Sequence, residues 1–314
     1  MNIDGQHVDD PEVVVIGGGP AGLASALVLA RSDRQVVVVD AGRPRNATAE
    51  GVHSFPTREG TSPAELLALG RADVERYGGR IVRDRVVGAD LVDDGVVLAL
   101  EAAAEVRTRR VVLTTGLVDR LPDVAGLADH WGRDVVHCPF CHGHEVSGRR
   151  IGVLATNGAA THQAMLFHHL ADELVLLRHR GADLDEDLVA RLVAAGVKVQ
   201  DGEVVEVLGD DSGLAGVRTA DGATIDLGAL VVAPRFAIDV ELVGQLGLEP
   251  VDHPSGFGQH VPSGMGGTTT APQVRVAGNV TDPMAQVVAS MAQGNLAGAH
   301  LHATLLQDDL PAAA

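Results

Sequence analysis

The chain has 314 residues, of which 46% are hydrophobic and 21% charged, a composition that excludes intrinsic disorder and allows about two domains of ~150 residues. Its 24 Lys and Arg residues against 42 Asp and Glu residues give a formal net charge of −18, so we expect neither nucleic acid nor a membrane surface as a partner. Two cysteines exclude a secreted disulfide framework.

The N-terminal region does not resemble a targeting signal. Residues 1–11 are acidic, whereas a signal peptide begins with basic residues. Residues 13–30 form an uncharged run that approaches the length of a membrane span, but Gly17, Gly18, Gly19, Pro20 and Gly22 lie inside it. These residues fit a strand, a turn and a helix better, so we expect a soluble, cytoplasmic protein.

The first half of the chain is predicted to open with a βαβ unit, which indicates a parallel sheet. The predicted elements are, in chain order, a strand over 12–16, a helix over 21–31, a strand over 35–39, a loop over 41–63, a helix over 64–77 and an antiparallel meander over 81–114 that ends in a strand over 110–113.

A second βαβ unit is predicted in the second half. The predicted elements are a strand over 151–155, a helix over 159–171, strands over 173–177, 197–199, 203–207 and 230–233, a long loop over 250–273, a strand over 274–276 and a closing helix over 284–306. The two units predict an α/β fold with two Rossmann-like (ββα-type) nucleotide-binding domains.

The turn after the first strand fits the dinucleotide-binding pattern G-x-G-x-x-G, with glycines at 17, 19 and 22. The turn follows a predicted strand and opens a predicted helix, and Asp40 ends the next strand. This context is the one that a dinucleotide-binding βαβ unit requires. The helix N-terminus would bind the pyrophosphate, and Asp40 would accept hydrogen bonds from a ribose. The motif alone does not choose between NAD and FAD.

Residues 137–145, His-Cys-Pro-Phe-Cys-His-Gly-His-Glu, form the chemically richest segment. Pro139 favours the first position of a helix, so Cys138 would lie at a helix N-terminus, where the pKa of a thiol is lowered. We interpret Cys138 and Cys141 as a redox-active pair. Zinc bound by the two cysteines with His142 and His144 remains an alternative, although four ligands within seven residues would be cramped; two inert cysteines are another.

Three motifs in this order resemble the low-molecular-weight thioredoxin reductase family: the glycine-rich turn, the C-x-x-C pair, and Val276-Ala277-Gly278-Asn279 before the last helix. The resemblance implies a discontinuous FAD-binding domain over 1–118 and 240–314. It also implies a second Rossmann-like domain over 119–239 that carries the C-x-x-C pair, and a homodimer.

By the same resemblance, FAD would be bound by the glycine-rich turn, by the segments after the strands of the first domain, and by the start of the last helix. Asn279 replaces the family's aspartate at the ribityl chain and can still accept a hydrogen bond. No metal site is expected. The implied FAD-binding residues are Gly17, Gly19, Pro20, Ala21, Gly22, Asp40, Ala41, Arg45, Asn46, Val86, Thr115, Gly116, Gly278, Asn279, Gln286 and Val287.

The resemblance also implies roles for the C-x-x-C segment. Cys141 would be the sulfur that contacts the flavin, and Cys138 would be the thiol that meets the substrate. The family has an acid–base aspartate directly after the second cysteine, and here that position is His142. A histidine can perform the same proton transfer, with His137 and His144 as alternatives.

The second βαβ unit departs from the family at its NADPH motif. The glycine positions of G-x-G-x-x-A fall on Ala155 and Asn157, and only Ala160 remains. The family's His-Arg-Arg grip on the 2′-phosphate appears as residues 178–180, Arg-His-Arg. A pyrophosphate must approach the bare backbone at these glycine positions. The side chains of Ala155 and Asn157 obstruct this approach, so we predict that NADPH binding has been lost.

A chain that keeps the FAD and C-x-x-C motifs without the NADPH motif resembles the thioredoxin reductase-like dithiol oxidases. This predicts FAD-dependent oxidation of a small-molecule dithiol to a disulfide, with O₂ as acceptor and H₂O₂ as product, in the biosynthesis of sulfur-containing natural products. A protein-disulfide reductase that uses NADPH or ferredoxin is the alternative, and a flavin-based redox sensor is a third hypothesis.

Overall fold

The structure, a computed structural model, describes residues 2–3, 6–7, 10–102 and 105–311. Its α-helices are α1 (Pro20–Arg31), α2 (Pro63–Arg76), α3 (Pro139–His142), α4 (Ala160–His168), α5 (Glu186–Ala194), α6 (Val240–Gln245) and α7 (Val287–Asp308). The strands of the first half are β1 (Asn2–Ile3), β2 (Gln6–His7), β3 (Val13–Ile16), β4 (Val36–Val39), β5 (Arg80–Val82), β6 (Val86–Val92), β7 (Gly95–Leu100), β8 (Val106–Thr108), β9 (Arg110–Leu113), β10 (Val118–Arg120) and β11 (Val135–Val136).

The strands of the second half complete the fold. They are β12 (Arg150–Ala155), β13 (Glu173–Arg178), β14 (Lys198–Asp201), β15 (Val204–Asp210), β16 (Gly213–Thr219), β17 (Thr224–Asp226), β18 (Ala229–Val232), β19 (Arg235–Ala237), β20 (Val251–Asp252), β21 (Gln259–His260) and β22 (Val274–Val276). Short 3₁₀ helices lie at Ala128–His130, Met265–Gly267 and Gly278–Val280.

The first unit is built on a parallel five-stranded sheet in the order β22-β9-β3-β4-β5. All four residues of β3 and of β4 are buried, because α1, α2 and α7 cover one face of the sheet and the antiparallel strands β6, β7 and β8 pack on the other. The predicted meander over 81–114 is wrong in part. Only β6, β7 and β8 form an antiparallel sheet, whereas β5 pairs in parallel with β4 because α2 returns the chain as a crossover helix.

The second unit repeats this plan with a parallel sheet in the order β11-β18-β12-β13-β14, accompanied by the antiparallel sheet β15-β16-β17. The predicted α/β fold class with two Rossmann-like units is confirmed. The antiparallel pair of β10 and β19 joins the two units. No helix in the described ranges combines the length and the apolar content needed to cross a bilayer.

Several short elements were missed at the sequence level. Helix α5 begins where Asp185 accepts a hydrogen bond from the backbone of Leu188, and α6 where Asp239 accepts one from Leu242. The loop predicted over 250–273 contains the β20–β21 hairpin and a 3₁₀ turn. Helix α6 has six residues and each strand of the hairpin has two, which is too short for a periodic pattern. Helix α5 has nine residues and buries Val189 and Leu192 at helical spacing, so its pattern was present in the sequence.

Helices α1 and α7 pack closely because α7 presents glycines to α1. A β-carbon at Gly294 would lie 2.0 Å from the carbonyl oxygen of Ala21. We therefore expect Gly294→Ala to lower the free energy of unfolding by about 2 kcal/mol, as forced overpacking does. Gly244→Ala on α6 is the matched control, because a β-carbon there meets nothing within 4 Å and should gain up to about 1 kcal/mol. Thermal denaturation of both variants measures this, and equal midpoints would refute the packing argument.

Candidate active site

A cavity of about 470 Å³ lies between the two units, at the carboxyl edge of the first sheet. It brings together most of the predicted cofactor residues and all three predicted catalytic residues. The predicted residues that line it are Gly17, Gly19, Pro20, Ala21, Asp40, Arg45, Asn46, Thr115, Gly116, Cys138, Cys141, His142, Gly278, Asn279, Gln286 and Val287.

The glycine-rich turn fits an anionic ligand. Gly17 has φ +105°, and a β-carbon there would lie 2.5 Å from the carbonyl oxygen of Thr114, so only glycine fits. A β-carbon at Gly19 meets nothing within 4 Å. Helix α1 starts directly after it with Pro20, with no side-chain cap and no acidic residue in the first turn. Its free N–H groups and dipole therefore face the cavity unopposed.

Three predicted cofactor residues do not line this cavity. Gly22 instead allows α1 to pack on the turn, since a β-carbon there would lie 1.9 Å from the carbonyl oxygen of Gly17. Ala41 is absent from the lining, although its neighbours Asp40 and Gly42 contribute to it. Val86 is buried in the core of the first unit. The chain leaves the carboxyl edge of the sheet after β5, so the cavity-lining residue of this segment is Arg83.

The cavity also contains residues that the sequence did not single out. They come from the loop after β4, from α2, from β10 and the segment that follows it, and from the loop before α7. Among them are Arg43, Thr48, His53, Arg71, Asp119, Trp131 and Met284. No short motif marks these residues, because only the folded chain brings them together.

Arg45 connects three parts of the site. Its guanidinium forms a bidentate pair with Asp119, with both N–O distances 2.7 Å, and lies 4.8 Å from the ring centre of Phe236. A third nitrogen donates to Oδ1 of Asn279 over 3.2 Å. The Asn279 amide donates to the carbonyls of Asp282 and Ala285, so this side chain organises the loop before α7. Oδ1 of Asn279 accepts a hydrogen bond from Arg45 and can accept a second one from a ligand.

The C-x-x-C pair is placed by a short helix. Cys138 is the N-cap of α3 and Pro139 occupies its first turn, as predicted. Both cysteines are free and half-buried, and their sulfur atoms are 2.9 Å apart. Gln286, at the start of α7, donates through Nε2 to Sγ of Cys141 over 3.6 Å. The two sulfurs therefore belong to the same cavity as the glycine-rich turn.

The two thiols differ in acidity. The hydrogen bond from the Cys138 thiol lowers the pKa of Cys141 to about 7 against the opposing effect of burial, with help from Gln286 and from the charges of Arg45 and His53. The same hydrogen bond and burial raise the pKa of Cys138. The prediction of a lowered pKa at Cys138 is wrong, because its helix N–H groups count for less than its thiol partner.

Residues 11–294 match the family model of the pyridine nucleotide-disulphide oxidoreductases. The chain belongs to this family. It is 31% identical to the thioredoxin reductase sirT of Leptosphaeria maculans over 318 residues, covering 96% of both chains. It is also similar to the crystal structure of HlmI, with 39% identity, a TM-score of 0.89, and 97% and 95% of the two chains covered.

The chain is also similar to the crystal structure of an oxidoreductase from Agrobacterium tumefaciens, with 32% identity and a TM-score of 0.89. The match covers 96% of this chain and 100% of that one. These likenesses confirm a thioredoxin reductase-like, FAD-dependent disulfide oxidoreductase. The family implies a flavin, and the open face at Gly19 and the uncapped start of α1 fit its pyrophosphate.

Three histidines of this disulfide oxidoreductase were candidates for the acid–base group. His137 and His142 both line the cavity, and the buried Nε2 of His142 has no hydrogen-bond partner among the described residues. Burial lowers the pKa of His142. Burial also lowers the pKa of His137 to about 4, and its ring packs edge-on against Phe236 and Phe257. His144 is exposed on the surface. The geometry therefore favours His142.

In the second unit, the residues at the positions of the family's NADPH site form hydrogen bonds and ion pairs with neighbouring parts of the chain. Oδ1 of Asn157 accepts a hydrogen bond from the backbone of Ala159 over 2.9 Å, at the start of α4. Arg178 forms a bidentate pair with Glu186 at 2.8 and 2.6 Å, and Arg180 pairs with Glu203 at 2.8 Å. His179 is buried and accepts a hydrogen bond from the backbone of Val204. The backbone N–H of Ala159 and the two arginines therefore already have partners within the chain.

Proposed function

We propose that this oxidoreductase binds FAD in the cavity and oxidises a small-molecule dithiol to a disulfide, with O₂ as the acceptor and H₂O₂ as the product. The observation that carries the proposal is the second unit, where Asn157 takes the place of a phosphate at the start of α4 and Arg178 is neutralised by Glu186. An enzyme without a nicotinamide site needs another electron source, and its substrate dithiol supplies the electrons.

In this proposal the first unit holds the cofactor. The N–H groups at the start of α1 bind the pyrophosphate, Asp40 binds a ribose, and the loop of Gly278 and Asn279 with the start of α7 holds the flavin end. When bound, FAD supplies two-electron transfer from the reduced cysteine pair to O₂. Cys141 lies on the side of this cavity formed by Gln286, which suits the sulfur that exchanges electrons with the cofactor.

Residues of the chain itself carry out the thiol–disulfide exchange. A substrate thiolate attacks Sγ of Cys138 in the Cys138–Cys141 disulfide, and Cys141 leaves as a thiolate, which the hydrogen bond from Gln286 and the charge of Arg45 favour. His142 removes the proton of the second substrate thiol, which then attacks the substrate sulfur of the mixed disulfide and releases Cys138. The balance is dithiol plus O₂ giving disulfide plus H₂O₂.

The open face at Gly19 gives a prediction about the cofactor. A valine there keeps an allowed backbone conformation, since φ is −75°, but its side chain projects into the space assigned to the pyrophosphate. We expect Gly19→Val to weaken FAD binding about 100-fold or more while the protein without FAD melts at the wild-type temperature. Fluorescence titration with FAD measures this, and unchanged affinity would contradict the assigned site.

The reaction is tested with dithiothreitol as the dithiol in air-saturated buffer. We expect one H₂O₂ formed and one O₂ consumed per disulfide, with no requirement for NADPH. The Cys138→Ser protein gives the background of uncatalysed thiol oxidation. Consumption of NADPH with reduction of a protein disulfide and no peroxide would overturn the proposal.

The alternative is a protein-disulfide reductase that uses NADPH or ferredoxin, and it is favoured by the similarity to sirT, a thioredoxin reductase. Reductant dependence separates the two functions, because the alternative requires turnover with NADPH or ferredoxin. A role in the biosynthesis of sulfur-containing natural products, a cytoplasmic location and a homodimeric assembly complete our proposal and rest on the family resemblance.

A further inference from the structure

A buried glutamine of the second unit reaches the C-x-x-C segment. Gln163 lies on the inner face of α4, where it is 4% exposed and its neighbours Ala164 and Phe167 belong to the core of the second unit. Its Nε2 donates to the carbonyl oxygen of His137, directly before Cys138, over 3.1 Å. No sequence motif marks this glutamine, which is 26 positions from His137.

The oxygen of the Gln163 side chain is unsatisfied. Oε1 is buried and has no hydrogen-bond partner among the residues that the structure describes. A buried polar atom without a partner lowers the free energy of unfolding, and an apolar side chain of the same length would avoid this penalty. Core packing alone therefore does not account for a glutamine here. What distinguishes Gln163 from an apolar residue is its hydrogen bond to the peptide next to Cys138.

The backbone of Cys138 is held on both sides. On its C-terminal side, the carbonyl oxygen of Cys138 accepts hydrogen bonds from the backbone of Cys141 and His142, over 3.2 and 3.1 Å. On its N-terminal side, Gln163 holds the peptide that joins His137 to Cys138. Peptides fixed on both sides of a residue restrict the directions in which its side chain can point. Gln163 therefore helps to set the position of Sγ of Cys138 relative to Sγ of Cys141, 2.9 Å away.

We propose that Gln163 is a positioning residue of the redox pair, which fixes the peptide before Cys138 and so holds the two sulfur atoms in the geometry from which their disulfide closes. A thiol held next to its partner has a higher effective concentration than a thiol on a mobile segment, and this stabilises the disulfide. The inference rests on the proposed function and deepens it, because the Cys138–Cys141 disulfide is the form that the substrate attacks.

Other contacts hold the two ends of the C-x-x-C segment, so a change at Gln163 has a local effect. Arg149 donates to Oδ1 of Asp134 over 3.0 Å, and to the carbonyl oxygen of Glu145 over 2.9 Å. One guanidinium thus joins a residue before the cysteine pair to a residue after it. Replacing Gln163 is therefore expected to loosen the peptide before the first cysteine and to leave the segment docked on the second unit.

The test measures the equilibrium between the cysteine pair and glutathione in full-length, FAD-loaded protein in the absence of oxygen. The protein dithiol and one oxidised glutathione give the protein disulfide and two reduced glutathiones. Acid quenching, alkylation and mass spectrometry give the ratio of the two protein forms, and with it the equilibrium constant. Gln163→Met and Gln163→Leu remove the donor and keep a side chain of similar size. Thr161→Val is the matched control, because Thr161 is a buried residue of the same helix whose hydroxyl donates to Gly158.

We expect both Gln163 variants to lower the equilibrium constant for disulfide formation about fivefold or more, because the freed peptide has more conformations to lose when the disulfide closes. Thr161→Val should keep the wild-type constant. A wild-type constant in the folded Gln163 variants, or an equal fall in Thr161→Val, would overturn the inference alone. A wild-type protein whose cysteines form no disulfide would overturn the proposed function with it. The assay needs neither a dithiol substrate nor O₂, so a failure of the oxidase reaction would be seen separately, in the peroxide measurement.

Discussion

Replacement of Cys138 by serine is expected to abolish dithiol turnover, by about 10³-fold or more, while the flavin stays bound. The variant cannot form the Cys138–Cys141 disulfide that the substrate attacks. The glycine-rich turn and the loop around Asn279, which fit the cofactor, lie in other elements of the cavity wall and are untouched. Initial rates of disulfide formation and the visible spectrum of the purified protein measure the two halves of this prediction.

The matched control is His144→Ala, an exposed substitution six positions further along the same segment. It should keep both the rate and the spectrum. Cys141→Ser should also abolish turnover, but because Cys141 accepts the Gln286 hydrogen bond in the cavity, it should in addition change the flavin spectrum. Wild-type turnover by Cys138→Ser would rule out the thiol–disulfide mechanism.

The second large effect is expected at His142. His142→Ala should lower the rate about 10²-fold if its Nε2 removes the proton of a substrate thiol. The active form is the neutral ring, and burial lowers the pKa of His142 from its usual value of 6.5. The rate should therefore rise with pH below pH 6.5, as the His142 ring loses its proton. At neutral pH the rate should no longer depend on the protonation of His142. This acidic limb should disappear in His142→Ala.

His137→Ala separates proton transfer from packing. Since the ring of His137 is wedged between Phe236 and Phe257, its removal should cost stability more than it changes the pH profile. A pH–rate profile of His142→Ala with the acidic limb still present would assign the base to another group. Rates measured from pH 5 to 8 on both variants distinguish these outcomes.

The parts of the molecule that could be predicted from sequence are those encoded locally. The positive φ of Gly17 and the open position of Gly19 belong to one turn of a few residues, and Pro139 fixes the start of α3 next to Cys138. Asn157 was predicted to obstruct the second nucleotide site, and its side chain does occupy a backbone N–H there. In each case the physical cause lies within about five residues of the motif.

The parts that could not be predicted depend on contacts between distant segments. Arg45 and Asp119 are 74 positions apart, and their ion pair exists only once β10 lies beside the loop after β4. Gln286, which is 145 positions from Cys141, contributes to the lowered pKa of that thiol. Val86 was assigned to the cofactor by resemblance, but the chain turns into the β6–β8 sheet before reaching it.

Electron flow from a dithiol rather than from NADPH can be read from the visible spectrum of the purified protein mixed anaerobically with each reductant. We predict a yellow protein that is bleached by dithiothreitol and not by NADPH, and that regains its colour with release of peroxide when air is admitted. Rapid bleaching by NADPH would contradict the account, because it would mean that Asn157 and the paired arginines still leave room for the nucleotide.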